Sequence, residues 1–228
     1  LIVNADYTAG LFYQTPISGL CENASYEFSA YLMNIFNSST GACPGTGIPI
    51  NVRFEIWNAT DTQLLKQGST GDIAGSSNAF WEQYAMTFQS QAGQNSIILK
   101  MFNNSDGGCG NDLAIDDIIF RSCGDLTTIS PINSSENEIS ICEENLPQTI
   151  NLEANPDFSI YSDHYYQWQR SNDGETWNDI PGANQAQFST SSISTDTYFR
   201  VQVAEDPVNL DDNLCSTFSE AFYVEVIP

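Results

Sequence analysis

The sequence predicts an all-β protein built as two sandwiches in series. Three observations predict it. Apolar residues alternate with period two along many short segments, helical periodicity is hard to find, and turn-rich stretches recur between the segments. Tyr26, Phe28, Ala30 and Leu32 form one face of a strand. Val52, Phe54 and Ile56 form a second, and Ile97, Leu99 and Met101 a third. The stretches 37–47, 68–78 and 103–110 separate them. Short strands at this spacing mean an all-β sandwich or jelly roll.

A boundary falls after Cys123-Gly124. Residues 125–138 are polar, hold Pro131 and carry little apolar content, and they read as a linker. Charge shifts there too. Residues 1–124 have 11 acidic and 4 basic side chains, net −7, and residues 125–228 have 18 and 2, net −16. The expected domains are 1–124 and 139–228. In the second, Tyr165-Tyr166-Gln167-Trp168-Gln169 alternates around a core Trp, Asp173-Gly174 signals a hairpin, and 197–203 and 221–227 are late strands. A Cys, a central Trp, a Tyr-containing strand and a second Cys within about 100 residues suggest an immunoglobulin-like sandwich. Trp177 reads as a cover for the hairpin.

Six cysteines without CxxC spacing, beside one His, argue against zinc and for disulfides in an oxidising compartment. Cys43 and Cys109 both sit in Gly-rich loops. Cys21 begins a strand and Cys123 ends one. Of three possible pairings in this half, Cys43–Cys109 with Cys21–Cys123 is favoured. Cys142 and Cys215 are the only two cysteines of the second half and form the natural third pair.

The net charge of −23 excludes nucleic acid as a partner, since phosphate contacts need Lys and Arg clusters. Anionic membrane surfaces are disfavoured for the same reason. No stretch approaches the roughly 20 apolar residues of a membrane-spanning helix. The chain opens on the apolar run Leu1-Ile2-Val3 and reads as a processed piece of a larger secreted protein. Asn-x-Ser/Thr sequons at Asn23, Asn37, Asn58, Asn103 and Asn133 are what an Asn- and Ser-rich chain makes by chance.

The segment Gly107-Gly108-Cys109-Gly110-Asn111-Asp112-Leu113-Ala114-Ile115-Asp116-Asp117-Ile118-Ile119-Phe120 is a glycine-rich turn feeding a strand. Strict alternation puts Asp116 on one face with Ile118 and Phe120, and Asp117 on the other. A carboxylate on an apolar face needs a partner, and Ca²⁺ takes such oxygen ligands. Asp116, Asp117, Asp112 and Asn111 are the candidate calcium ligands, with Asn4 and Asp6 as further oxygen donors. The alternative is one Asp solvated at a sheet edge and the other at a turn, with Asn111 and Asp112 serving turn chemistry. Trp57, Trp81, Tyr13 and Tyr31 are the aromatics that could stack on a sugar ring, with core packing as the competing role. His164, the one general-base candidate, reads as a surface residue, and no catalytic site is expected.

The residues from Ser18-Gly19-Leu20-Cys21 to Ala30, with Gly108-Cys109-Gly110-Asn111-Asp112-Leu113-Ala114-Ile115-Asp116-Asp117-Ile118, resemble a repeat module of large Bacteroidetes cell-surface adhesins. Those proteins are exported by the type IX secretion system, and some serve gliding motility. More distantly the module resembles MAM domains and calcium-containing carbohydrate-binding jelly rolls. The second half, through Tyr166-Gln167-Trp168-Gln169 and Tyr198-Phe199-Arg200-Val201, resembles the immunoglobulin-like repeats that follow such modules. The resemblance implies a jelly-roll β-sandwich followed by an immunoglobulin-like β-sandwich, on a secreted, surface-anchored, non-catalytic adhesin. Its implied partners are polysaccharide or cell-surface glycan and neighbouring repeats of one long chain. Beside such modules the chain reads as opening at a later strand. The alternatives are an accessory carbohydrate-binding region of a secreted polysaccharide-degrading enzyme and a ligand-free stalk.

Overall fold

The computed structural model describes residues 1–228, and its only helical elements are three single 3-10 turns. The chain divides into two compact units, residues 1–22 with 26–121, and residues 23–25 with 122–228.

Eight strands build the first unit: β1 (Ile2–Val3), β2 (Gly10–Ser18), β3 (Ser25–Asn34), β4 (Val52–Asn58), β5 (Leu64–Ser69), β6 (Glu82–Gln89), β7 (Ser96–Asn103) and β8 (Leu113–Ser122). They form two four-stranded sheets of order β1-β8-β3-β6 and β2-β7-β4-β5. Nearly every connection crosses between the sheets, which is jelly-roll topology. The opening run Leu1-Ile2-Val3 supplies β1, which pairs antiparallel with the start of β8. The expected alternations hold in β3, β4 and β7, whose inward residues Phe28, Leu32, Val52, Ile56, Ile97, Leu99 and Met101 are fully buried. Each large apolar side chain so buried contributes about 1.5–3 kcal/mol. The rings of Phe28 and Phe54 meet with centroids 4.9 Å apart.

Strict alternation fails in β8. Leu113 and Ile115 point inward, Asp116 and Asp117 are both exposed, and Ile118 and Phe120 turn partly inward again. Asp117 has φ +46°, a left-handed conformation that Asp tolerates better than most residues. The kink inserts one residue into the inward–outward count. Phe120 can then stack on buried Tyr26 at 5.2 Å, and Asp116 is turned out to solvent rather than buried.

One rim of this unit is fixed by the Cys43–Cys109 disulfide, as the Gly-rich loops predict, with Cα atoms 5.6 Å apart. The loops also close on Phe36. A Cβ at Gly75 would lie 2.6 Å from the Phe36 ring and 2.7 Å from the Thr46 carbonyl oxygen, so only glycine fits there.

The second unit contains β9 (Thr127–Pro131), β10 (Glu138–Cys142), β11 (Asn151–Pro156), β12 (Tyr165–Ser171), β13 (Asn178–Asp179), β14 (Gln187–Ser189), β15 (Thr197–Ala204), β16 (Thr217–Phe218) and β17 (Phe222–Ile227). One sheet has the order β10-β17-β15-β12-β13, with β16 also beside β15, and the other is β14-β11-β9. β10 runs parallel to β17, whereas the remaining pairs are antiparallel. Trp168 is fully buried on β12, stacked on Phe188 at 5.2 Å, and its Nε1 donates to the Gln185 carbonyl. Asp173-Gly174 turns the hairpin: Asp173 Oδ1 accepts from the Glu175 and Thr176 amides. Trp177 lies under the Arg200 guanidinium at 4.3 Å, as a hairpin cover.

Two expectations are corrected here. The stretch 125–138 is not a free linker, because it contains β9, which pairs with β11. Thr127 and Ile129 are buried on its inner face, and β-branched residues at every second position suffice for a strand. Of the expected disulfides, Cys21–Cys123 and Cys142–Cys215 do not form. Cys21 and Cys215 are each disulfide-bonded, whereas Cys123 and Cys142 keep their thiols. Cys142 pairs with Ile227, just past the Thr197 end of β15. Cys215 lies two residues before Thr217, which pairs with Val203 at the other end. The six residue steps from Thr197 to Val203 span about 20 Å, and a disulfide needs Cα atoms within about 7 Å. The Cys123 amide bonds the Ser25 carbonyl, level with the start of β3 and beyond the turn that follows Cys21.

The Cys43–Cys109 bridge closes a loop with a sequence separation of 66. Replacing both cysteines by Ser is expected to lower the unfolding free energy by about 4 kcal/mol in urea titrations.

Candidate functional site

The outward face of the β5-β4-β7-β2 sheet gathers the most chemistry in the first unit. On β4 the residues between the buried ones are Arg53, Glu55 and Trp57, and on β7 they are Ile98, Lys100 and Phe102. The register sets Arg53 opposite Phe102, Glu55 opposite Lys100 and Trp57 opposite Ile98. Cross-strand neighbours on one face touch, and here they form a continuous row. The Arg53 guanidinium lies over the Phe102 ring at 4.7 Å. Its Nε donates to Glu55 Oε1 at 2.7 Å, and its Nη1 to Asn104 Oδ1 at 2.8 Å. Trp57 Nε1 donates to Glu55 Oε2 at 2.7 Å. Lys100 Nζ lies over the Trp57 ring at 4.6 Å and bonds Asp61 Oδ1.

Glu55 is the hub. Its side chain is only 8% exposed, although its strand position faces outward, because Arg53 and Trp57 occupy both its oxygens. A buried carboxylate is tolerated when its oxygens are so bonded. Each cation–ring contact adds about 0.5–2 kcal/mol. The result is a fixed row of cations and aromatic rings stacked on the outer face of the sheet.

The four predicted aromatics do not converge. Trp57 alone is in the row. Trp81 is 44% exposed just before β6, beside Phe80 at 59%. Tyr13 is opposite buried Met101 and so faces inward, because an extra residue between Leu11 and Tyr13 shifts the β2 register. Tyr31 is half-buried on the outward side of β3. Sequence reasoning passed over Arg53, Lys100 and Phe102. The available signal was Arg-x-Glu-x-Trp in one strand and Lys-x-Phe in another, both at outward positions.

The four predicted calcium ligands do not form one shell. Asn111 is fully buried, its Oδ1 accepting from the Gly108 amide and its Nδ2 facing the Asp106 carbonyl. Asp112 Oδ1 accepts from the Ala5 amide. Asp116 and Asp117 lie four and five residues along, about 13 Å or more away, and Asp116 Oδ1 accepts from the Asp117 amide. Asp6 Oδ1 bonds the Tyr7 amide. No three Asp, Glu, His or Cys side chains converge on a common point.

His164 is not a surface residue. Its side chain is 7% exposed, and its Nε2 lies 2.6 Å from Oδ2 of Asp125, whose side chain is fully buried. Asp125 Oδ1 also accepts from the Ile160 and Tyr161 amides. Burial pushes the Asp125 carboxyl up, but the bonds from His164, Tyr161 and Ile160 outweigh it and hold the group below its ordinary value. The Phe158 and Tyr166 rings flank the imidazole. Both members of the pair are engaged in joining β12 to the start of this unit.

Residues 132–228 match the model of a family described as a domain of unknown function, DUF8696, which spans the second unit from just after β9. No curated protein matches the chain. No helix is long and apolar enough to cross a membrane. Disulfide bonding at Cys21, Cys43, Cys109 and Cys215 fits an oxidising compartment.

Two measurements follow. The melting temperature in excess Ca²⁺ against excess EDTA decides the calcium expectation: a Ca²⁺-dependent rise abolished by Asp116→Ala shows an ion held at the β8 kink, and equal values remove it there. Asp125 has a depressed folded-state pKa, so its stabilisation is present above the ordinary carboxylate value of about 3.9 and is lost as pH falls through the lower folded value. Between about pH 6 and about pH 3 the wild type should therefore lose more stability in denaturant titrations than Asp125→Asn does.

Proposed function

We propose that this chain is a non-catalytic pair of modules from a secreted bacterial surface adhesin. The jelly-roll unit contacts polysaccharide and the immunoglobulin-like unit acts as spacer. The observation that supports the contact is the row Phe102–Arg53–Glu55–Trp57–Lys100, with two of the chain's six cations fixed over aromatic rings on one sheet face. The sequence resemblance supports the adhesin setting, type IX export and a place in gliding or attachment. One such face binds a glycan weakly, and repeated copies on one long chain turn weak contacts into avidity. An accessory module of a polysaccharide-degrading enzyme would use the same face.

A glycan array probed with the whole chain, followed by titration of the best neutral oligosaccharide, tests the reading. Trp57→Ala is expected to weaken binding at least about tenfold, or about 1.4 kcal/mol, while Trp81→Ala leaves it unchanged. Absence of binding to every glycan would favour the ligand-free stalk, a reading consistent with the internal satisfaction of Glu55.

A further inference from the structure

The inward residues of β12 run Tyr166, Trp168, Arg170. Trp168 is fully buried, and Arg170 is one step further along the same face, opposite the core residue Phe199. An arginine thus occupies a core-facing position where the sandwich opens. There Arg170 lines a cleft of about 670 Å³ with Phe188, Pro181, Asn172, Ser189 and Ser191. That volume is in the range of small-molecule sites, about 300–1,000 Å³.

Arg170 is notable for its lack of partners. It is one of two cations among the 18 carboxylates of residues 125–228. It nevertheless forms none of the ion pairs of the protein. Its one side-chain hydrogen bond runs from Nη2 to Thr197 Oγ1 at 3.3 Å, and its Nε is buried without an acceptor. Arg200, the other cation, is satisfied: its Nε donates to Gln169 Oε1, and its guanidinium lies over the Trp177 and Phe218 rings. Arg170 Nε is closed to solvent, so a ligand in the cleft meets the guanidinium at its Nη edge. Carboxylate is the acceptor that fits a guanidinium fork.

We propose that this cleft binds one carboxylated sugar unit, a uronic acid, with its carboxylate on Arg170. Phe188 and Pro181 supply the apolar wall for the ring, and Asn172, Ser189 and Ser191 face its hydroxyls. Asp179 also lines the cleft, occupied by the Gln169 amide, and the half-chain carries net −16. A polyanion is repelled there, so the ligand is a single terminal or branch uronate.

Calorimetric titration of the whole chain with D-glucuronate, D-glucose and acetate at low salt tests the assignment. Glucuronate is expected to bind at about millimolar Kd, with glucose and acetate at least about tenfold weaker. Arg170→Met removes glucuronate binding but leaves binding of the neutral oligosaccharide unchanged, which separates this site from the sheet face of the first unit. Glucose or acetate binding of equal affinity that Arg170→Met also removes, no glucuronate binding at about 10 mM, or unchanged glucuronate binding in Arg170→Met would each overturn the proposal. If Arg170→Met does not fold, Ser191→Trp at the exposed rim serves instead: it fills the cleft and must also abolish glucuronate binding.

Discussion

Twenty-nine carboxylates share six cations in this chain, so the hydrogen bond from a backbone amide to a carboxylate does much of the work that ion pairs do elsewhere. Asp125 collects the Ile160 and Tyr161 amides, Asp173 those of Glu175 and Thr176, Asp206 that of Val208, Asp212 that of Leu214 and Asp196 that of Val226. Each bond fixes a turn or a strand end. The amides and the Ser171 hydroxyl hold the Asp173 carboxyl well below its ordinary range, so the hairpin keeps its charge and its shape together. A polar amide is available at every turn, whereas a cation must be supplied by the sequence. The few cations are consequently spent where a planar or extended charge is needed, over Trp57, Phe102 and Trp177.

The sheets were legible because their signal is local. Phe28, Ile56 and Leu99 sit at alternate positions that any reading of period two finds, and Trp168 announces its own strand. The kink at Asp116-Asp117 was not legible, since it depends on one residue adopting positive φ. Read with strict alternation, the same letters bury Asp116 and suggest a metal. β9 was hidden by its Ser and Thr content, although Thr127 and Ile129 are spaced as a strand requires. Cysteine pairing and the burial of His164 depend on which strand ends share a rim. That is settled by topology over distances of about 40 residues, as with Asp125 and His164, 39 apart.

The candidate faces were legible only in part for a related reason. Trp57 was visible as an aromatic at a strand end, but its neighbours in space come from a strand some 40 residues later. Arg170 was visible as an arginine two residues past a core Trp. Its significance comes from partners that are absent, which no single stretch of sequence displays.

The parallel pairing of β10 with β17 has a mechanical consequence. The ladder joins Glu138–Cys142 to Tyr223–Ile227 with both strands running the same way. A pull that draws the start of β10 and the end of β17 apart acts along the strands, across their hydrogen bonds. The five paired positions are then strained together in shear rather than opened one after another like a zip. A module joined to its neighbours through these strands would yield abruptly, at a threshold set by the whole ladder.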